Sequence, residues 1–380
     1  MTIAVYGASG YTGRLVAAEL HRRGFSMVLS GRDGDRLHAL SRQLGSGTPH
    51  GADKHQQHQQ QQRQGGRSRG GCGRTASRHR PADLAAAFHG CDAVINCAGP
   101  FLELGEPVVR ATIAAGCHYV DTSAEQMFVK GVFDDLTADA ERGGVTVVPA
   151  TGYDIVPADL LAHATAELVT PVSDLVIAYD MQDFDMTRGT LRSAFAMMTS
   201  GQLSYVDGEW RPGEPPTNHT SVAFPGNAGP TPVMNWPGCE IVTVPHHVRT
   251  GQLSVVINAS AATPEFFQLL QMPVDAVAEI VNGLPEGPTE ARRPAAAFTI
   301  VADAVGSDGR RARGLLQGRD IYGCTAVIAV EAVRRLLSQP VRPGVLAPSE
   351  AYGVADFLDF LVPYGFSWSV ETLQDAPSPA

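Results

Sequence analysis

A glycine-rich turn near the start of the chain is the residue pattern with the clearest chemistry. Gly7, Gly10 and Gly13 lie in the run GASGYTG, between an apolar strand pattern and a helical pattern. In such a turn the first glycine permits the bend, the second lets a pyrophosphate approach the backbone, and the third lets the helix pack against the strand. The N-terminus of the helix offers free N–H groups to the phosphates. We therefore predict a dinucleotide site formed by Gly7, Ser9, Gly10, Tyr11, Thr12 and Gly13; the alternative is a purely structural glycine turn.

The end of the second strand indicates which dinucleotide is bound. Sites that prefer NAD place an acidic residue there, on the ribose hydroxyls. Here the strand ends in Ser30, Gly31 and Arg32, and a guanidinium and a hydroxyl suit a 2′-phosphate. The pattern favours NADP (NADPH) over NAD, with Arg32 and Ser30 as its readers. In the alternative interpretation Arg32 is solvated or pairs with Asp33 or Asp35.

Two further strand ends belong to the same edge of the predicted sheet. Cys97, Ala98, Gly99 and Pro100 follow one strand and leave room for the ribose and the nicotinamide. Asp121 ends the next strand. Ligands of open α/β sheets bind at this carboxyl edge, so Cys97–Pro100 are predicted to bind the cofactor. Asp121 fits either a catalytic role or an N-cap of the following helix.

The elements that must position these residues alternate between strand and helix. Apolar runs at Thr2–Tyr6, Met27–Ser30, Asp92–Asn96 and Val145–Val148 alternate with helical patterns, which predicts a parallel Rossmann-type sheet in an α/β protein. From residue 151 strands dominate, including Glu240–Val244, and 207–238 is rich in Pro and Gly, typical of loops. We predict a Rossmann domain at 1–150, an α+β domain with a mixed, largely antiparallel sheet at 151–345, and a C-terminal helix and tail at 346–380 that pack back on the body.

One segment does not fit this alternation. Residues 46–82 contain HQQHQQQQRQGG and no large apolar residue, where a Rossmann fold places its third strand. Such a composition cannot bury enough apolar surface to fold. The segment is therefore predicted to form no central strand and to leave the second strand at the sheet edge. A mobile insertion and a locally shifted reading frame explain it equally well.

Composition excludes several classes of protein. The chain has 380 residues, a net charge of -10 and 44% hydrophobic residues; the acidic balance argues against a nucleic-acid partner. No run of apolar residues is long enough to span a membrane. The six cysteines show no metal-site or disulfide spacing, and the adjacent pair His246–His247 would point to opposite faces of a strand. We expect a cytoplasmic protein without a bound metal.

Taken together, several blocks resemble the saccharopine dehydrogenase-like family, especially its trans-acting enoyl reductase branch. The matching blocks are VYGASGYTG, SGRD, NCAGPF, HYVDTSAE, GYDIVPADL, GTLRSAF, GRDIYGCTAVIAVEA and GVLAPSEAY, and they cover nearly the whole chain apart from 46–82. The resemblance implies a Rossmann domain, a second domain over the cofactor cleft and NAD(P)-linked redox chemistry. It also implies a small-molecule or acyl-thioester substrate and a homodimer through the second sheet.

Candidate catalytic residues follow from what hydride transfer requires. One end of the reduced bond takes a hydride and the other end takes a proton. Tyr153 and Asp154 follow a strand end and are predicted to face the cleft, with Tyr153 as proton donor and Asp154 as its orienting group; the alternative is a hinge with a capping Asp. Tyr322 is a further candidate.

Three functions remain in view at the sequence level. The first is an NADPH-dependent reductase of a C=C (enoyl) or C=N bond. The second is a saccharopine-type dehydrogenase acting on a secondary amine, whose tricarboxylate substrate would need several cations, with Arg188 and Arg192 as the main candidates. The third is a non-enzymatic NADP-sensing protein. Scarcity of cations in the predicted cleft favours the first.

Overall fold

The computed structural model describes residues 1–45, 72–75, 81–216, 218–261 and 263–374. Its strands are β1 Thr2–Tyr6, β2 Ser26–Gly31, β3 Cys72–Thr75, β4 Ala93–Asn96, β5 His118–Asp121, β6 Thr146–Val148, β7 Val172–Gln182, β8 Leu203–Val206, β9 Glu209–Pro212, β10 Ser221–Val222, β11 Thr231–Asn235, β12 Thr250–Asn258, β13 Ala297–Gly306, β14 Arg311–Arg319, β15 Gly344–Val345 and β16 Ser367–Leu373. Its α-helices are α1 Tyr11–Arg22, α2 Gly34–Gly45, α3 Pro81–Phe88, α4 Phe101–Ala114, α5 Gln126–Gly143, α6 Ile155–Glu167, α7 Arg188–Thr199, α8 Glu240–Thr243, α9 Pro264–Leu270, α10 Val274–Gly283, α11 Ile321–Ser338, α12 Pro348–Ala351 and α13 Val354–Leu361. Short 3-10 turns lie at Val244–His246, Ala259–Ala261, Arg293–Ala295 and Val362–Tyr364.

The first sheet is parallel and has the strand order β15-β6-β5-β4-β1-β2-β3. Its strands are apolar because helices cover both faces: Ile3, Ala4 and Val5 of β1 are fully buried. Strand order reverses at β1, which pairs with β2 on one side and β4 on the other. The carboxyl ends of these three strands therefore open into one crevice, as a Rossmann-type sheet requires. The predicted α/β class is confirmed.

The prediction that residues 46–82 form no central strand and leave β2 at the sheet edge needs correction, because the segment contributes an edge strand. Residues Cys72–Thr75 form β3, which pairs in parallel with Val28–Gly31 of β2. A strand at the edge of a sheet needs main-chain partners on one side only, so an apolar composition is not a condition for it. β2 consequently lies inside the sheet, and the shifted-frame hypothesis loses its support. The rest of the segment, 46–71 and 76–80, lies outside the described residues.

The second sheet is mixed and largely antiparallel, as predicted. Its order is β10-β11-β12-β7-β13-β14-β16, and the hairpin of β8 and β9 joins at β12. Only β12 and β7 pair in parallel. The long central pair of β7 and β13 runs from Ala297↔Gln182 to Gly306↔Val172, with a shift in register at Val305.

Two local predictions in this domain are wrong. Glu240–Thr243 is helical rather than a strand; Pro237 precedes it, and Pro245 is the second residue of the following 3-10 turn. A proline cannot donate to a central ladder, so this apolar run cannot continue as a strand. The region 207–238 is not all loop, because it contains β9, β10 and β11.

The chain crosses between the two sheets more than once. The predicted boundary at residue 150 falls between β6 and α6. After β14, however, α11 packs against α1, and β15 pairs with β6 of the first sheet. The chain then returns to the second sheet as β16, which pairs with β14. One continuous hydrophobic core contains both Ile3 of β1 and Ile300 of β13. Among the described helices, none is long and apolar enough to cross a membrane.

Candidate active site

The glycine turn has the geometry that phosphate binding requires. Gly7 has φ 79°, and a Cβ there would lie 3.0 Å from the backbone N of Ala98. The N–H of Gly7 donates to the carbonyl of Ser30 at 2.9 Å, which ties the turn to β2. A Cβ on Gly13 would overlap the carbonyl oxygen of Gly7, so this glycine permits the close packing of α1. A Cβ on Gly10 would meet only the carbonyl oxygen of Gly7, at 3.2 Å.

The turn opens into a crevice that we call the dinucleotide cleft. Its walls are Gly7 and residues 9–12 of the turn, Arg32 and Arg36 after β2, residues 97–99 after β4, and Arg188 and Arg192 of α7. All predicted cofactor-binding residues therefore lie on or beside this cleft except three. Gly13 packs inside, Pro100 is the N-cap residue of α4, and Ser30 is fully buried with a hydroxyl that has no hydrogen-bond partner.

The cleft carries a marked excess of positive charge. Arg36 and Arg14 share Glu286 as an ion-pair partner, at 2.5 and 2.7 Å. Arg32 is exposed and makes no ion pair within the described chain, so it does not pair with Asp33 or Asp35. Burial and the nearby Arg188 and Arg32 lower the pKa of Arg192. Such a set of cations suits a ligand with several phosphates.

The residues after β4 form the floor of the cleft. The N–H of Cys97 donates to the carbonyl of Tyr6 at 2.8 Å, and the N–H of Ala98 donates to Oδ1 of Asn96 at 2.9 Å. Burial raises the pKa of the Cys97 thiol to about 12. Cys97 and Gly99 also line the next cavity, so the floor leads from one compartment into the other.

These features fit a bound NADP. The space that a side chain at Gly10 would fill is free for a pyrophosphate beside the N-terminus of α1. Arg32 lies at the end of β2, where a 2′-phosphate is read, with Ser9 and Arg36 on the same wall. Residues 97–99 would then lie beside the nicotinamide half.

Beyond the floor lies a second compartment, the apolar cavity. It is lined mainly by apolar and aromatic side chains from the second domain: Tyr153, Met181, Phe184, Met186, Met197, Trp236, Ile257 and Tyr322. Its only ionisable carboxyl groups are those of Asp154 and Glu240, and its described lining contains no Lys, Arg or His. Thr12, Thr187 and Gly189 border both compartments.

The predicted pair Tyr153 and Asp154 lies on the wall of this cavity. The Tyr153 hydroxyl donates to Sδ of Met181 at 3.2 Å, and its ring meets Phe298 edge to face. Burial raises the pKa of Asp154 to about 6. The Asp154 carboxylate accepts no side-chain hydrogen bond from Tyr153 among the described contacts, so the expected orienting contact is not formed.

Tyr322 lies where the two compartments meet. Its hydroxyl accepts the N–H of Thr187 at 2.8 Å and contacts Oγ1 of Thr190 at 3.0 Å. Its ring meets that of Tyr11 edge to face, with centroids 5.2 Å apart. Tyr322 thereby joins the turn of the first domain to α7 of the second.

Asp121 has a structural environment. It is fully buried, and its Oδ1 accepts the N–H groups of Ser123 and Ala150, both at 2.9 Å. Burial raises its pKa to about 7. Asp121 thereby fixes the backbone directly after β6, where Ala150 has φ 57°. It does not line the apolar cavity.

The sequence interpretation missed Glu240 and Tyr179. Glu240 is fully buried, lines the apolar cavity and accepts a hydrogen bond from the Tyr179 hydroxyl. Burial raises the pKa of Glu240 well above its usual value. A lone acid within the apolar run EIVTV was the available signal.

The adjacent residues His246 and His247 contact different partners. His246 stacks on Phe133, whereas Nε2 of His247 contacts Oδ2 of Asp159 at 3.0 Å and its Nδ1 contacts His163. Within the described residues, no cluster of three or more His, Cys, Asp or Glu suits a metal ion.

Comparison with known proteins agrees with this geometry. Residues 3–148 match the sequence profile of the saccharopine dehydrogenase NADP-binding domain. A protein of Mycobacterium tuberculosis H37Rv, provisionally named a trans-acting enoyl reductase, is 30% identical over 164 residues, which are 43% of this chain and 34% of that protein. A trans-acting enoyl reductase of Mycobacterium bovis is 29% identical over 160 residues, 42% of this chain and 34% of its own length. The match thus spans about a third of the length of these relatives.

The fold comparison covers the whole chain. The apo structure of saccharopine dehydrogenase (L-Glu forming) from Saccharomyces cerevisiae aligns over 98% of this chain and 100% of its own, with a TM-score of 0.59 and 13% identity. At that identity the likeness concerns the fold.

Fold and site together define a chain with a Rossmann-type parallel sheet, a second, mixed sheet and a cleft whose residues suit a dinucleotide. The resemblance to the saccharopine dehydrogenase-like family is confirmed over residues 3–148, which match the profile of its NADP-binding domain.

Proposed function

We propose that this chain is an NADPH-dependent reductase of a small-molecule or acyl substrate, and that the reduced bond is the C=C of an enoyl thioester. The observation that carries this proposal is the lining of the apolar cavity. Its described residues include two carboxyl groups and no cation. An apolar wall suits an uncharged acyl chain, because burial of an unpaired charge is costly. The names of the mycobacterial relatives agree with this substrate class.

The saccharopine-type alternative fits the cavity less well. Saccharopine carries three carboxylates, which would face Asp154 and Glu240 rather than basic side chains. The expected cations, Arg188 and Arg192, line the dinucleotide cleft instead. They are therefore placed to bind phosphates of the cofactor.

The test of the reaction is oxidation of NADPH with defined probes. We expect turnover with N-acetylcysteamine thioesters of crotonic acid and longer 2-enoic acids, with kcat/KM rising with chain length as more apolar surface is buried. The matching saturated thioesters serve as controls. Turnover of saccharopine with NADP would favour the dehydrogenase instead, and tight NADPH binding without turnover of any probe would favour a sensing protein.

The cofactor preference has its own test. Arg32→Asp is expected to weaken NADPH binding by about 1.5–3 kcal/mol, the range for a charge-assisted hydrogen bond, and to spare NADH. Binding is measured by titration of nicotinamide fluorescence. Arg142→Asp, on α5 and 70% exposed at the side chain, makes the same change of net charge away from the cleft and should alter neither affinity. Equal losses for NADPH and NADH in Arg32→Asp would contradict the assignment.

A further inference from the structure

The carboxyl group of Glu240 has one satisfied and one free oxygen. Oε1 accepts the hydrogen bond of the Tyr179 hydroxyl, which also lies 3.2 Å from the backbone carbonyl of Asp154. Oε2 is buried and has no hydrogen-bond partner in the described chain. Glu240, Tyr179 and Asp154 all line the apolar cavity. A buried polar atom without a partner is rare enough to need an explanation.

The backbone around Glu240 makes room for this oxygen. A Cβ on Gly238 would overlap Oε2 and would lie 2.8 Å from Cγ1 of Val255. Any side chain at residue 238 would therefore displace the carboxyl group. Gln126 fixes the same turn, because its Nε2 donates to the carbonyl of Gly238 at 3.2 Å.

The titratable groups that face Glu240 are the carboxyl groups of Asp154 and Asp159 and the phenols of Tyr153 and Tyr179. The two carboxyl groups disfavour its charged form, whereas the hydrogen bond from Tyr179 favours it. No Lys or Arg forms an ion pair with Glu240 within the described chain. Burial, followed by the two neighbouring carboxylates, raises its pKa well above the usual range. An acid in this setting holds its proton to a higher pH than an exposed glutamic acid does.

Glu331 is a second buried glutamate, and its surroundings stabilise the charged form. It is fully buried, as Glu240 is, but Arg23, Arg334 and Arg335 contact its two oxygens at 2.7–2.9 Å. Those contacts lower its pKa. The absence of such partners around Glu240 marks it as a different kind of site.

We propose that Glu240 is the general acid of the reduction and that Tyr179 is its positioning residue; this inference rests on the proposed function. NADPH, when bound, supplies the hydride. One carbon of the C=C bond gains that hydride and its two electrons. The π electron pair then forms a C–H bond to the proton of Glu240 at the other carbon. The Oε2–H bond breaks, its electrons stay on the carboxylate, and the Tyr179 hydroxyl stabilises the new charge. Water restores the proton after product release.

This assignment replaces Tyr153 as the proton donor. The Tyr153 hydroxyl is engaged with Met181, and a pKa of about 6 leaves Asp154 ionised at neutral pH. Glu240 combines a retained proton with an unengaged oxygen, which is what a general acid needs.

The test compares Glu240→Gln with Glu331→Gln in two measurements. The first is melting temperature against pH without cofactor or substrate. A raised pKa in the folded state makes the wild type lose stability as pH rises above the unfolded-state pKa. Glu240→Gln should therefore gain stability relative to wild type as pH rises above the unfolded-state pKa. Glu331→Gln should differ from the wild type by a constant amount above the unfolded-state pKa, because its lowered pKa places its titration below that value.

The second measurement is turnover of NADPH with the crotonyl thioester. Glu240→Gln should lose about 100-fold or more in kcat, as for a missing general acid, with unchanged NADPH affinity. Tyr179→Phe should lower kcat and shift the alkaline limit of the kcat–pH profile upward, because the carboxylate loses a donor. Glu331→Gln should keep the kcat of the wild type at permissive temperature.

The two measurements separate this inference from the proposed function. A wild-type protein that reduces no enoyl probe contradicts the proposed function. A Glu240→Gln protein with wild-type kcat, or one that melts in parallel with the wild type at every pH, overturns the role of Glu240.

Discussion

Gly10 and Gly13 lie in the same turn, but a side chain would meet different surroundings at each. At Gly10 a Cβ has a single neighbour, the carbonyl oxygen of Gly7 at 3.2 Å. At Gly13 it would overlap that same oxygen and would lie 2.8 Å from Cα of Ala8. The first glycine leaves room for a ligand, and the second leaves room for the protein itself.

Substitution should therefore separate binding from folding at these two residues. Gly10→Val is expected to lose NADPH binding, because the branched side chain fills the pyrophosphate space, and to keep a melting temperature close to that of the wild type. Gly13→Ala should lose at least about 1–3 kcal/mol of stability through overpacking. Fluorescence titration and urea denaturation measure the two effects. Retained NADPH binding in Gly10→Val would remove the basis of the cofactor site.

The residues of the turn could be identified from sequence because their spacing alone encodes their roles. Glu240 could not, since its significance depends on where α8 places it and on what surrounds it. The carboxyl group meets Tyr179 and Asp154, which are 61 and 86 positions earlier in the chain. Ser30 shows the converse: its type suits a phosphate, but its side chain points into the core.

At the scale of elements, a buried ion network joins three helices. Glu331 and Arg335 of α11 link to Arg23, directly after α1, and to Asp356 of α13. Without Glu331, Arg23 keeps Glu19 and Arg335 keeps Asp356, but the guanidinium groups lose the buried carboxylate that they share. Removing one member of such a network costs more than the network is worth in itself.

Glu331→Gln should consequently lower the free energy of unfolding by about 3–5 kcal/mol at neutral pH. Its lowered pKa means that this contribution is present above the unfolded-state pKa and is lost as pH falls through the folded-state pKa. Urea denaturation at pH 7 and pH 4 measures both. Glu106→Gln, which breaks an exposed pair with Arg110 on α4, should cost at most about 1 kcal/mol. Similar losses in both variants would contradict the network.

Elements with a clear hydrophobic period were predictable, and edge elements were not. β1, α1 and β7 follow from apolar runs or helical spacing. β3 is held in the sheet by main-chain pairing with β2. Main-chain pairing does not depend on apolar side chains, so the composition of the segment did not indicate a strand. Short strands such as β10 and β11 likewise depend on neighbours brought in from elsewhere in the chain.

At the scale of the whole molecule, the two sheets are linked by repeated crossings of the chain and share one hydrophobic core. The chain leaves the first sheet after β6, returns with α11 and β15, and leaves again for β16. The three tryptophans, Trp210, Trp236 and Trp368, lie in or directly after strands of the second sheet, whereas the glycine turn follows β1 of the first.

We expect a single unfolding transition that responds to NADPH throughout. Tryptophan fluorescence and far-UV circular dichroism should give coincident urea curves, because neither sheet can unfold without exposing the shared core. NADPH at 100 times its Kd should stabilise both curves by about 2.7 kcal/mol. A fluorescence transition that NADPH leaves in place would show that the domains unfold separately.

The thiol on the floor of the dinucleotide cleft has a further consequence. Thiols react with peroxides and alkylating agents as thiolates, and burial keeps Cys97 protonated far above neutral pH. Cys97 is partly buried, whereas the other free thiols with described side chains, Cys91, Cys117, Cys239 and Cys324, are buried. The raised pKa lowers the thiolate fraction of Cys97, and with it the rate at which oxidants attack a thiol that lines the proposed cofactor cleft.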